Sequence, residues 1–242
     1  MDPAGWIIAV MVGRPSDPLY VEDTLWFHNN IVECHPMFEG SNESQQRAAF
    51  PAQAVGISHG MGQAYPVQLQ NAKYGDMLQK LLQTREAARI ATFQSVNFRP
   101  QMRTYKHWDV QNAAFGWCAV TALSRYNHEA GGHLVLWDLG LVLQFPPGST
   151  VLLPSASIAL GNVPVADNET RTLFTQYTAG GLLRWVDCGG CSLEELCKED
   201  KQAYQANRDA LKLGESLREG IAKFTTMENL LNCGTVKWAE SR

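Results

Sequence analysis

Short apolar runs broken by Gly, Pro or Asn set the character of the middle of this chain. Phe115–Leu123, His133–Leu139, Leu141–Phe145, Thr150–Leu153, Ile158–Val165, Thr172–Thr178 and Leu182–Val186 each have strand length. Turn sequences separate them, among them Asn127-His128-Glu129-Ala130-Gly131-Gly132 and Pro146-Pro147-Gly148. Strands at this spacing predict a sandwich or jelly-roll barrel rather than alternating β and α units. Before them, Trp6–Val12 is a continuous apolar run stopped by Gly13 and a Pro-rich turn, which predicts a buried strand entering a loop. Glu39–Gln46 is polar and reads as a surface loop. Met77, Leu78, Leu81, Leu82, Ala88 and Ile90 recur at helical spacing and predict an amphipathic helix over Asp76–Ile90. Past Gly190 the chain turns polar: Ser192-Leu193-Glu194-Glu195 has the form of a capping box, and a second helical stretch is predicted from Gln202 to Phe224. Gly214 and Gly220 weaken that stretch by about 1 kcal/mol each relative to alanine, so packing has to hold it.

Composition narrows the class. With 45% hydrophobic and 18% charged residues in 242, the chain can build a substantial core, and disorder is a poor description. The formal charge of -4 gives no global basic field. That average hides a gradient, because Lys73–Lys106 carries seven basic residues (Lys73, Lys80, Arg85, Arg89, Arg99, Arg103, Lys106) against two acidic ones. A polyanion can engage such a stretch, although a solvated helix face has the same composition. No apolar run reaches membrane-spanning length, and the six cysteines are too sparse for a disulfide framework, so a reducing intracellular compartment is expected. No glycine fingerprint follows the first strand, and no G-x-S-x-G elbow is present. Cys188-Gly189-Gly190-Cys191 lacks a second matching pair, which favours free thiols over zinc.

The chemically suggestive element is His107-Trp108-Asp109. On a strand, positions i and i+2 face one side, so imidazole and carboxylate can converge on one ion. They form two-thirds of the two-His-one-carboxylate face that holds non-haem Fe(II). Jelly-roll oxygenases of this kind need a later histidine and, beyond it, a basic residue. Arg171 suits the last role, because a guanidinium clamps a keto-acid carboxylate with two parallel hydrogen bonds.

Longer motifs resemble a known family. Trp6-Ile7-Ile8-Ala9-Val10, Gly13-Arg14-Pro15, the Gly56–Gln63 motif, His107-Trp108-Asp109, Gly131–Leu139, Phe145–Ser149, Pro154-Ser155-Ala156, Asn162–Val165 and Phe174–Trp185 together resemble the TET/JBP-like dioxygenases abundant in mushroom-forming fungi (basidiomycetes). The similarity continues through Lys198–Leu231. It implies an α+β protein with a double-stranded β-helix (jelly-roll) core and flanking helices. It also implies Fe(II) and 2-oxoglutarate as cofactors, dioxygen as co-substrate, and oxidation of methylated bases in DNA. His107 and Asp109 fall on the first two iron ligands and Arg171 on the keto-acid anchor. The slot of the second histidine, two residues before the Asn of N-x-P, is Leu160, which has no lone pair. His133 follows His107 too soon to replace it; His59 and His128 read as loop residues, and His28 and His35 show no pattern.

The resemblance implies one domain over 1–242: an N-terminal α/β buttress (1–106), a jelly-roll core (107–187) and a helical extension (188–242). Two functions stay open, ahead of a weaker third, a cupin-like small-molecule binder with no nucleic-acid role. One is an oxygenase acting on methylated DNA, with Arg99, Arg103 and Lys106 holding phosphates. The other is a catalytically impaired relative serving as a nucleic-acid-binding or regulatory module, for which Leu160 is the motive. A location inside the cell, and in the nucleus for a DNA-acting protein, is expected of either. His107, Asp109 and Arg171 are expected to face one cavity.

Overall fold

The structure is a computed structural model and describes residues 5–34, 36, 52–60, 63–69, 93–97, 100–212 and 214–232. The predicted loop at Glu39–Gln46, the predicted helix at Asp76–Ile90, the basic residues from Lys73 to Arg99, His35 and Cys233 lie outside the described residues.

In chain order the described elements are β1 (Val10–Val12), α1 (Pro18–Cys34), β2 (Ala52–Ser58), β3 (Val67–Gln68), β4 (Phe93–Asn97), β5 (Cys118–Leu123), β6 (Leu134–Leu136), β7 (Leu141–Leu143), β8 (Thr150–Leu153), β9 (Leu160–Asn162) and β10 (Thr172–Tyr177). The helices α2 (Gly180–Asp187), α3 (Leu193–Glu199), α4 (Lys201–Lys212), α5 (Glu215–Ala222) and α6 (Met227–Asn232) follow. The strands pair antiparallel in two sheets, one ordered β1-β8-β5-β10-β4-β2-β3 and a smaller one ordered β7-β6-β9. Val120, Val151, Leu153 and Leu173 of the large sheet pack with Leu134, Leu136 and Leu160 of the small one in a single apolar cluster. Two antiparallel sheets closed over one core, with helices outside, make the α+β jelly roll.

Strand alternation sorts the side chains. On β10, Leu173 points into the core between the sheets, while Phe174 points out to α1 and meets Phe27 edge-on with ring centres 5.1 Å apart. Phe27 and Ile31 of α1 complete this second cluster with Val96, Leu123 and Phe174. The residue before β10, Arg171, shares the inward parity of Leu173. Thr172 shares the outward one and meets His28 of α1.

Three predicted elements come out differently. The run Leu182–Val186, expected as a strand, lies inside helix α2. A five-residue apolar run does not distinguish the two by periodicity. Tertiary packing decides, because Gly181, Trp185 and Cys188 recur at i, i+4 and i+7 and line one cavity. The run Trp6–Val12 is a strand only over Val10–Val12, at the sheet edge with Met11 and Val12 exposed; Trp6 instead bridges Thr226. The long C-terminal helix is broken into α4 and α5, with Gly214 between them at φ 68°, a conformation that costs other L residues. The capping box at Ser192 is fully formed: its hydroxyl accepts from the Glu195 N–H, and the Glu195 carboxylate accepts from the Ser192 N–H.

Candidate functional site

The segment entering the core from Met102 to Asp109 carries the predicted pair. Its backbone is tied to β9 in both directions: the His107 N–H donates to the Leu160 carbonyl at 3.0 Å, and the Leu160 N–H donates back at 2.9 Å. The Asp109 N–H is held by the Ser155 carbonyl at 2.9 Å. His107 Nδ1 bonds the Tyr105 carbonyl at 2.8 Å and so carries the proton, leaving Nε2 3.6 Å from Asp109 Oδ1. Asp109 is buried.

His107, Asp109 and Leu160 line one small cavity of about 40 Å³, together with Ser95, Asn97, Met102, Thr104, Val120, Leu134, Asn162, Leu173 and Thr175. An iron centre of the facial type needs three protein donors. The position facing His107 across the backbone bridge is Leu160, 6% exposed, and a leucine offers no donor. Asn162 does not stand in, since its carbonyl oxygen already accepts from the Thr104 N–H at 2.7 Å and the Thr104 hydroxyl at 3.1 Å. Among the described residues no group of three His, Cys, Asp or Glu side chains gathers where it could hold a metal. The described residues therefore supply two donors and do not complete the iron face.

Arg171 is not among the residues lining that cavity. It is fully buried in the apolar interior, with its guanidinium 5.6 Å from the Tyr126 ring centre and 5.5 Å from that of Phe145. Both rings belong to the same packed cluster as Met102, Leu134, Leu160 and Leu173, which line the cavity. The Tyr126 hydroxyl is turned to the Phe145 carbonyl. All three guanidinium nitrogens lack a hydrogen-bond partner among the described residues. Burial pulls the Arg171 pKa below the ordinary arginine value, with Tyr126 acting in the opposite direction. A buried cation without a hydrogen-bonded counter-charge is costly. This donor set fits a carboxylate, the group a keto acid would bring.

A second, larger cavity of about 600 Å³ begins where the chain leaves Asp109, and Val110, Gln111 and Asn112 form one wall. His59 and Gln63 face it from the β2 side, and Arg184, Trp185, Cys188 and Cys191 from α2 and its end. Gly181 makes this closure possible: a β-carbon there would sit 2.1 Å from the His59 carbonyl oxygen. His59 Nδ1 bonds the Gly181 carbonyl at 2.9 Å and so acts as donor, which makes Nε2 an acceptor. His59 Nε2, Gln63 Oε1 and Trp185 Nε1 are shielded from solvent and have no partner among the described residues. All three belong to residues that line the cavity, but the atoms themselves are covered, each at a cost of about 1–3 kcal/mol when unmet. Roughly 300–1,000 Å³ is the usual size of a small-ligand pocket.

Sequence reading assigned none of these residues to a site, although the Gly56–Gln63 and Phe174–Trp185 motifs contain them. His59, expected as a loop residue, is a cavity residue. Of the predicted phosphate contacts, Arg103 and Lys106 lie exposed on the outer side of the segment, and Arg99 lies outside the described residues. His28 is a buried bridge between the Thr170 and Thr172 hydroxyls at 3.1 and 3.0 Å, and burial lowers its pKa to about 4. The Cys191 thiol donates to the Cys188 carbonyl.

No family model matches the chain, and no curated protein matches it in sequence. Solved structures do match in shape. NgTET1 in complex with 5mC DNA aligns with TM-score 0.51 and 11% identity, over 74% of this chain and 75% of that one. A Pseudomonas putida prolyl-4-hydroxylase aligns with TM-score 0.41 and 15% identity, over 74% and 95%. A Burkholderia pseudomallei oxidoreductase of the 2OG-Fe(II) oxygenase family aligns with TM-score 0.38 and 17% identity, over 54% and 68%. The fold of this chain is a jelly roll like that of NgTET1.

Proposed function

We propose that this chain is a single-domain, nuclear relative of the TET/JBP-like oxygenases that binds methylated bases in DNA and is impaired in oxidising them. The observation that supports this reading is the two-way backbone bridge between His107 and Leu160, which leaves a buried leucine, without a donor atom, beside the His107–Asp109 pair. Two further observations support it. The cavity beside His107 holds about 40 Å³, room for a few waters at most. The larger cavity beyond Asp109 has the volume for a nucleobase, and polar and aromatic side chains, among them His59, Gln63 and Trp185, line it. Arg171 has the chemistry for the distal carboxylate of 2-oxoglutarate, but it is buried outside the cavity that His107 lines and would reach the acid only if the packing around Tyr126 and Phe145 opened. Iron, when bound, would supply the oxidising chemistry; here His107 and Asp109 are its only protein donors among the described residues.

Fe(II) binding and succinate formation with methylated DNA, measured for the native chain and for Leu160→His, test the reading. Lost neighbours of metal ligands already cost about 10–100-fold, so restoring a ligand is expected to tighten Fe(II) by about 100-fold or more. Succinate is expected from the variant alone. Equal turnover by the native chain would establish the second reading, an active oxygenase, which the 3.6 Å approach of His107 Nε2 to Asp109 Oδ1 favours.

A further inference from the structure

The segment that carries His107 and Asp109 has a second face. Met102, Thr104, His107 and Asp109 line the small cavity, whereas Arg103, Tyr105, Lys106, Trp108 and Val110 are exposed. Strict alternation would send Lys106 inward. A bend at Lys106 instead puts Tyr105 and Lys106 outward in succession and restores the phase at His107. The outer face therefore gathers cations and rings. The Arg103 guanidinium lies 5.8 Å from the Tyr105 ring centre. The Lys106 ammonium lies 5.3 Å from Trp108 and 5.6 Å from Trp137, so one cation spans two indoles from distant parts of the chain. Tyr105, Trp108 and Trp137 are 58%, 43% and 50% exposed.

The Trp108 indole is held in place at its polar edge. Its N–H donates to Asp138 Oδ2 at 3.3 Å, and the same oxygen accepts from the Ala159 N–H at 2.7 Å. The nearby carboxylate is thus committed to orienting the ring. Val110, the last outward residue, also lines the 600 Å³ cavity, so the aromatic face runs to the lip of the proposed base pocket.

We infer that Tyr105, Trp108 and Trp137, with Arg103 and Lys106, form a stacking platform for single-stranded nucleic acid; the inference deepens the proposed base-binding function and rests on it for the class of partner. Indole and phenol faces accept any base, and the interleaved cations match the phosphates between them. A cation over an exposed ring is held weakly compared with a stacked base, so Lys106 and Arg103 can leave the rings for phosphates as the strand arrives. A duplex hides its base faces in the stack and can offer the platform only its phosphates.

The test is fluorescence anisotropy of a labelled, unmethylated oligothymidylate on the full chain, with duplex DNA of equal length as comparison. Trp108→Ala and Trp137→Ala are each expected to weaken the oligothymidylate about tenfold. Lys106→Ala should lower the slope of log affinity against log salt by about 0.7. Circular dichroism checks the fold, and the exposed Lys106→Glu serves if an indole variant does not fold. Unchanged affinity in the folded variants overturns the platform. So does a self-association seen by light scattering that Trp137→Ala abolishes while oligothymidylate affinity stays the same. In parallel, 5-methyl-2′-deoxycytidine is titrated into the native chain, the platform variants and Gln63→Ala. Nucleoside binding lost only in Gln63→Ala supports the pocket whatever the platform does. Loss of nucleoside binding throughout, with tryptophan-dependent oligothymidylate binding intact, removes the pocket and keeps the platform.

Discussion

The two cavities flanking Asp109 are built on opposite principles. The one beside His107 holds about 40 Å³ and has leucines at positions 134, 160 and 173 among its walls; the one beyond Val110 holds about 600 Å³ and is lined by polar and aromatic residues such as His59, Gln63, Arg184 and Trp185. A few residues along one segment separate a region that packing has closed from a region that packing leaves open. The contrast teaches that the closing of one space and the opening of the other are set independently in this fold, because different elements supply them. β9 carries Leu160, whereas α2 and the end of β2 shape the larger space.

Breaking the larger cavity should have the largest effect on the fold. Gly181→Ala drives a β-carbon into the His59 carbonyl oxygen, a backbone atom that cannot swing aside. A loss of about 3 kcal/mol or more is expected in urea unfolding, together with loss of any nucleoside binding.

The strand behind the smaller cavity responds to acid. His28 holds Thr170 and Thr172, the neighbours of Arg171, and its pKa is about 4 in the folded chain against an ordinary 6.5. Between these values the unfolded chain binds the proton and the folded chain does not, so stability rises with pH across pH 4–6.5. The contribution is complete above pH 6.5 and falls by up to about 3 kcal/mol by pH 4. Urea midpoints measured across this window, with His28→Gln as the variant that flattens the dependence, check it.

Arg171→Met sharpens the contrast from within the core. With no anion present, replacing the unpartnered buried guanidinium by an apolar side chain is expected to raise stability by about 2 kcal/mol. The same change should abolish any rise in Tm that 2-oxoglutarate gives the native chain, as read by thermal melts with and without the acid. The smallest effect belongs to the cap of α3, whose first residues wall the larger cavity. Ser192→Ala should cost about 1 kcal/mol in thermal or urea unfolding.

How much of this was legible in the sequence depended on how local the determining interaction is. Turn-bounded apolar runs marked most of β5 to β10, since alternation and turn chemistry act over a few residues. The i, i+2 spacing of His107 and Asp109 likewise implies a shared side, and both line one cavity. Leu182–Val186 was misread because five apolar residues fit strand and helix equally, and only packing against His59 selects the helix. The larger cavity was illegible as a site. His59 and Gln63 stand close together in the chain, but Trp185 lies far from both and meets them only through the fold, and no spacing rule connects the two segments. The platform was half legible. Arg103 and Lys106 stood out as charges, but Trp137 joins them only because the turn after β6 comes alongside.

Backbone hydrogen bonds do not depend on which side chain they carry, and the His107–Leu160 bridge is made of nothing else. A change of side chain at position 160 can therefore alter what lines the space beside His107 while every strand keeps its register.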